Sequence, residues 1–234
     1  MNNVLLVAEM IAVFSLVLVA ERLLGKAGLI AWVGIASVIA NIQVTKCIDV
    51  IGLSATVGNV MFASTFLATD VLSECYGKQY AKKAVYVGLF SVIVYLITSQ
   101  IMLAYEPNSL DVVDSSMQNL FGLAPRVCVA SVSMYFFANL LDVYIFNKLK
   151  DKMDGKHLWF RNNISTIICN CSENFFFFVI AFGGVFEFNE LIVMALTSSA
   201  IETIIAVCDT PFIYIAKGLH NGKDGKTDNR NITR

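Results

Sequence analysis

The chain has 234 residues, of which 57% are hydrophobic and 15% charged, with a net charge of -1 and a mean hydropathy of +0.68. A soluble domain is nearer half apolar and a quarter charged, so these totals exclude an ordinary soluble domain and point to a polytopic helical membrane protein. The basic residues stand at helix ends and in a short tail, which excludes nucleic-acid binding.

Seven apolar runs follow one another, at about 4–20, 29–45, 51–69, 84–105, 127–146, 164–186 and 191–216. Each is close to the ~20 residues that cross a bilayer as a helix. The first lacks a basic start and carries Glu9 in its core, so it reads as a membrane helix and not a signal peptide. Between the fourth and fifth runs, Glu106 to Pro125 forms a loop, with a short interfacial helix expected at 117–123.

Of the seventeen Lys and Arg residues, fifteen fall on one side of the resulting alternation. They are Arg22 and Lys26, then Lys78, Lys82 and Lys83, then Lys148, Lys150, Lys152, Lys156 and Arg161, and finally five from Lys217 onward. The opposite loops are acidic or neutral. The positive-inside rule puts the fifteen in the cytoplasm, the N-terminus outside and the C-terminus inside, an arrangement that requires an odd number of helices. The expected fold is therefore all-α: a polytopic membrane bundle of about seven transmembrane helices. One transmembrane domain is expected over 1–220, followed by a disordered cytoplasmic tail over 221–234, which is polar and free of aromatic residues.

The six cysteines are scattered and mostly lie inside apolar runs, as small packing residues do. No cofactor or metal is implied, because neither histidine has a ligand-spaced partner. No phosphate-binding loop of the Gly-x4-Gly-Lys-Ser/Thr kind occurs, nor does any motif of an intramembrane protease. Small residues in the second and third runs, among them Gly34, Ala36, Ser37 and Ala40, allow close helix packing within the chain or in a homodimer.

Polar residues at membrane depth carry the chemistry, because they must face one another or a cavity. Asp70 and Glu74 stand one turn apart where the third run meets the lysines, as an acidic inner mouth with Lys78 and Arg161 as gate or charge partners. Asn139 and Asp142 are three apart on the fifth helix. Glu173 lies nine residues into the sixth run, and Glu202 eleven past Leu191 in the seventh. Both carboxylates fall near mid-membrane, where a functional role outweighs a structural pair. Asp70, Asp142 and Asp209 lie nearer the basic ends, where pairing with Arg161 or a lysine is an equal alternative.

Four phenylalanines, 175 to 178, follow Glu173 and Asn174 directly. They cover all faces of a helix, so most meet lipid or neighbouring helices and one or two face inward. A carboxylate, an amide and an aromatic face suit a planar heterocycle with donor groups on its edge.

Several stretches together resemble the queuosine precursor transporters, also called the vitamin uptake transporter family. They are Ala68-Thr-Asp with Tyr76-Gly, Leu140 to Lys150, Ser165-Thr, Asn170, Ser172-Glu-Asn, Ile180-Ala-Phe and Asp209 to Tyr214. The resemblance implies a six-helix core with the first helix added. It implies import of 7-deazaguanines such as preQ0, preQ1 or queuine across the cell (inner) membrane for tRNA modification. The substrate-binding set it suggests is Asp70, Glu74, Asn139, Asp142, Asn170, Glu173, Asn174, Phe175, Glu202 and Asp209. The partners implied are the deazaguanine and the lipid bilayer. A substrate-binding membrane subunit, or a transporter of another vitamin-like heterocycle, is the alternative. Glu173-Asn174 replaces the Asp-Thr common in the family, and Glu202 replaces a common Lys. Two carboxylates in place of an acid–base pair share a proton or receive a cationic ligand.

Overall fold

The computed structural model describes residues 1–44, 46–50, 53–122, 125–184 and 187–232; the side chains at 45, 47, 50–56, 123–128, 135, 181–182, 185–186 and 221–234 fall outside the description. Two helices open the chain, α1 (Asn2–Leu24) and α2 (Lys26–Gln43), joined through Gly25 alone. A two-stranded antiparallel hairpin follows, β1 (Cys47–Val50) and β2 (Leu53–Thr56), with Cys47 opposite Thr56. Then come α3 (Gly58–Val71), a π-helical turn (Leu72–Tyr76), α4 (Lys78–Leu103), the short α5 (Asp114–Phe121), α6 (Pro125–Lys152), α7 (Leu158–Phe182) and α8 (Phe188–Ile232).

Among the described residues, six helices are long and apolar enough to cross a membrane: α1, α2, α4, α6, α7 and the Phe188–His220 part of α8. The tail expected at 221–234 lies outside the described side chains. The third apolar run departs from expectation. Its Leu53–Thr56 stretch is strand β2, and α3 has only 14 residues. An apolar run bounded by small residues does not by itself distinguish strand from helix. The short interfacial helix is present as α5, displaced by a few residues and with no buried side chain.

α3 is the centre of the bundle. Twelve of its fourteen residues are buried, and it packs against α1, α2 and α8. Small side chains at Gly58, Ala63, Ser64 and Ala68 make this possible. At Gly58 a Cβ would stand 2.8 Å from the Ala40 carbonyl oxygen and 2.9 Å from the Val44 nitrogen, so only glycine fits this crossing with α2. The small residues of α2 serve the same end within the chain, since a Cβ at Gly34 would stand 2.9 Å from Ser91 Oγ on α4. The outer faces of α1, α4 and α8 carry exposed Leu5, Ile11, Leu16, Phe90, Ile97, Leu196 and Ile204, the face that hydrocarbon covers.

The lysine-rich ends meet in space. Lys26 Nζ, at the start of α2, donates to Tyr80 Oη at the start of α4 over 3.1 Å. Glu74, after α3, reaches side chains of α6, α7 and α8. Gly77 closes the π-helical turn at φ 99, a region that favours glycine. Its N–H donates to the Leu72 carbonyl, 2.8 Å away.

Candidate functional site

Side chains from α2, α3, α6, α7 and α8 line a cavity of about 430 Å³, within the range of small-molecule sites. Glu173, Asn174, Phe177 and Phe178 face it from α7, and Glu202, Thr197 and Ser198 from α8. Asn41 enters from α2, Asn59 and Phe62 from α3, and Ser131 from α6. Asn174 Nδ2 donates to Glu202 Oε2 over 2.7 Å and to the Asn170 carbonyl over 3.0 Å. That fixes the Glu202 carboxylate beside Glu173, whose Oε2 is buried without a hydrogen-bond partner. The Phe177 and Phe178 rings meet edge to face at 5.3 Å and 78°. Two carboxylates, three amides and an aromatic wall therefore converge on one apolar-sided space.

Phe175 stands elsewhere. It is 40% exposed, packs on Phe176 and lines a separate outer recess with Cys171 and Leu196. Phe177 and Phe178 take the aromatic place. Asn41, Asn59 and Ser131 are further lining residues. As isolated polar residues in apolar runs they are visible in the sequence, but nothing local says which ones share a space.

A second polar cluster lies between the cavity and the lysine-rich end. Asp70 of α3, Asp142 of α6 and Asp209 of α8 are all fully buried. The carboxyl groups of Asp70 and Asp142 face each other, with Asp209 and Arg161 near Asp70 and the Ser165 hydroxyl near Asp142. Asn162 Nδ2 donates to Asp209 Oδ1 over 2.8 Å, and Asn163 Nδ2 to Thr210 Oγ1 over 2.8 Å. Asn139, one turn before Asp142, accepts from Thr65 Oγ1 at 3.4 Å. None of these residues lines the cavity.

Glu74 forms a third site, at the bundle end. Arg161 Nη1 and Lys150 Nζ each lie 3.1 Å from its Oε2, and Lys217 Nζ lies 2.5 Å from Oε1. Burial alone would push its carboxyl up, yet hydrogen bonds from Arg161 and Lys217 and the charge of Lys150 hold it down to about 2. Arg161 is itself fully buried. It donates to the carbonyls of Lys156 and Gly155 and lies over the Phe146 ring at 5.0 Å. Lys78 does not join this group, because its ammonium lies over the Tyr144 ring. The partners of Glu74 are Arg161, Lys150 and Lys217.

Comparison with known proteins follows the same lines. The profile of a family described as "Putative vitamin uptake transporter" matches residues 56–216. A "Probable queuosine precursor transporter" of Bacillus subtilis is 34% identical over 217 residues, 92% of this chain and 95% of that one. The "Queuosine precursor transporter" of Escherichia coli is 28% identical over 145 residues, 61% of this chain and 62% of that one. A similar protein from Haemophilus influenzae is 30% identical over 128 residues. No solved structure matches the chain.

Proposed function

Since the chain belongs to the vitamin uptake transporter family, we propose that it imports 7-deazaguanine precursors of queuosine, with the cavity between α7 and α8 as the cargo site. The protein is a multi-pass membrane transporter and not an enzyme. In this reading it lies in the cell (inner) membrane with the lysine-rich end in the cytoplasm. Cargo binds near the midplane and the helices open to each side in turn.

The observation that carries this is the convergence of Glu173, Glu202 and Asn174 with Phe177 and Phe178 on one cavity. A deazaguanine presents several N–H groups along one edge and a flat ring face. The carboxylates accept from the edge, the Asn174 amide fixes Glu202, and a phenylalanine ring packs on the flat face. Two acids facing one space also favour a cargo bearing an amine, so preQ1 and queuine bind in preference to the neutral nitrile preQ0.

The test is labelled uptake into proteoliposomes, with preQ0, preQ1, queuine and guanine as competitors. Glu173→Gln should lower uptake by about 100-fold, as loss of a charged hydrogen bond in a buried site does, while the protein still reaches the membrane. Stronger competition by preQ0 than by preQ1 and queuine would refute the amine preference. Full uptake by the Glu173→Gln variant would refute the site.

A further inference from the structure

The face of α7 between the two acidic clusters is a continuous polar stripe. Asn162, Thr166, Asn170 and Glu173 follow at spacings of four, four and three, so they lie on one side of the helix. Each has a buried oxygen with no hydrogen-bond partner among the described residues: Asn162 Oδ1, Thr166 Oγ1, Asn170 Oδ1 and Glu173 Oε2. The first three side chains are 0%, 1% and 3% exposed. Unsatisfied buried oxygens are costly and uncommon, and four of them in register on one helix call for a function. At a rise of ~1.5 Å per residue the stripe runs about 16 Å, in steps of roughly 5–6 Å that one water between neighbours bridges.

Its two ends are carboxylates. At one end Asn162 is bonded to Asp209; at the other, Glu173 lies beside Glu202 in the cavity. Facing the stripe's lower end are Asp142 from α6, Asp70 from α3 and Asp209 from α8, with Arg161 and Cys169 of α7 alongside. Asp70 and Asp142 have all four carboxyl oxygens buried without a hydrogen-bond partner among the described residues, and the two carboxyl groups face each other closely, with the Ser165 hydroxyl beside Asp142. Two carboxylates repel at that separation, whereas a proton between them turns the contact into a strong hydrogen bond.

We propose that Asp70, Asp142 and Asp209 form a proton-carrying site separate from the cargo cavity, connected to Glu173 and Glu202 along the polar stripe of α7. A proton enters from the cavity side, passes along the stripe, resides on the aspartates and leaves at the lysine-rich end, so that cargo and proton travel together. The coupling to cargo rests on the transport reading above; the proton site does not.

Two measurements separate the claims. Infrared spectra of the reconstituted protein should show a carboxylic-acid carbonyl band near neutral pH that Asp142→Asn removes. If that band is missing, or survives in both Asp142→Asn and Asp70→Asn, the proton site is overturned whatever the cargo is. With the membrane potential clamped, labelled preQ1 should accumulate up to about tenfold for each pH unit of acid-outside gradient, the ratio one co-transported proton supplies. Thr166 lies outside the cavity lining, and Thr166→Val removes a hydroxyl of the stripe without removing a carboxylate. It should keep preQ1 counterflow and lose most of the gradient response, as Asp142→Asn should. Counterflow without any gradient response in the wild type, or accumulation driven by sodium instead, overturns the coupling. Absence of counterflow with every deazaguanine overturns the cargo assignment alone and leaves the infrared result standing.

Discussion

Replacing Glu74 by Gln removes the carboxylate that pairs with Arg161, Lys150 and Lys217 at 3.1, 3.1 and 2.5 Å. The three cations do not suffer equally. Lys150 and Lys217 are 27% and 38% exposed and can turn to water, whereas Arg161 is wholly buried. A buried ion deprived of its partner costs about 3–5 kcal/mol, and an exposed one about 0–1 kcal/mol. The carboxyl is held from 4.5 down to about 2, which at ~1.36 kcal/mol per unit gives about 3 kcal/mol before screening by water at the bundle end reduces it. Loss of about 2–3 kcal/mol should lower the melting temperature of the detergent-solubilised protein at pH 7 by roughly 5–10 °C. The sign with pH is fixed. The folded-state value lies below the unfolded one, so the stabilisation is present above about 4.5 and fades as the pH falls toward about 2. The gap between wild type and Glu74→Gln should therefore narrow as the pH is lowered through that window. A variant that melts within a degree of the wild type at pH 7, or a gap that stays constant down to the acid limit, would refute this account.

Other substitutions test the packing and the cavity. Gly58→Ala should cost about 1–3 kcal/mol by forcing α3 away from α2, whereas Gly218→Ala, with nothing within 4 Å of its Cβ position in α8, should stabilise by about 0.5–1 kcal/mol through helix propensity. In uptake assays Phe178→Ala should raise the KM for preQ1 by about tenfold through the lost aromatic contact, while Phe175→Ala, which lies outside the cavity, should change it by less than about twofold. Glu202→Lys restores an acid–base pair in the cavity and should shift preference from preQ1 toward preQ0 in the same competition assay. The reverse shift would show that Glu202 does not read the cargo's charge.

Much of the bundle is legible in the sequence because the bilayer imposes length and charge asymmetry on each helix. Six apolar runs correspond to six helices, and the lysines mark ends that meet in space. The third run was less legible. The start of that run reads as readily as a buried helix, and only pairing between β1 and β2 decides for strand at 53–56. Site residues were legible singly and not in combination. Glu173, Asn174 and Glu202 stand out as polar groups at depth, and they do share the cavity. The run from Phe175 to Phe178 contains no signal that selects 177 and 178. The partners of Glu74 are long-range, with Lys217 lying 143 positions further on, a separation at which no local periodicity reports. Asp70, Asp142 and Asp209 are each conspicuous, but their convergence depends on α3 threading the middle of the bundle.

The arrangement around Glu74 has a mechanical consequence. One carboxylate, carried on the turn that ends α3, holds α6 through Lys150, α7 through Arg161 and α8 through Lys217. A group with two oxygens and three suitors cannot let go of one helix gradually while keeping its hold on the rest. Displacing that turn acts on all three ion pairs together, so the relative placement of three helices at the lysine-rich end hangs on one side chain.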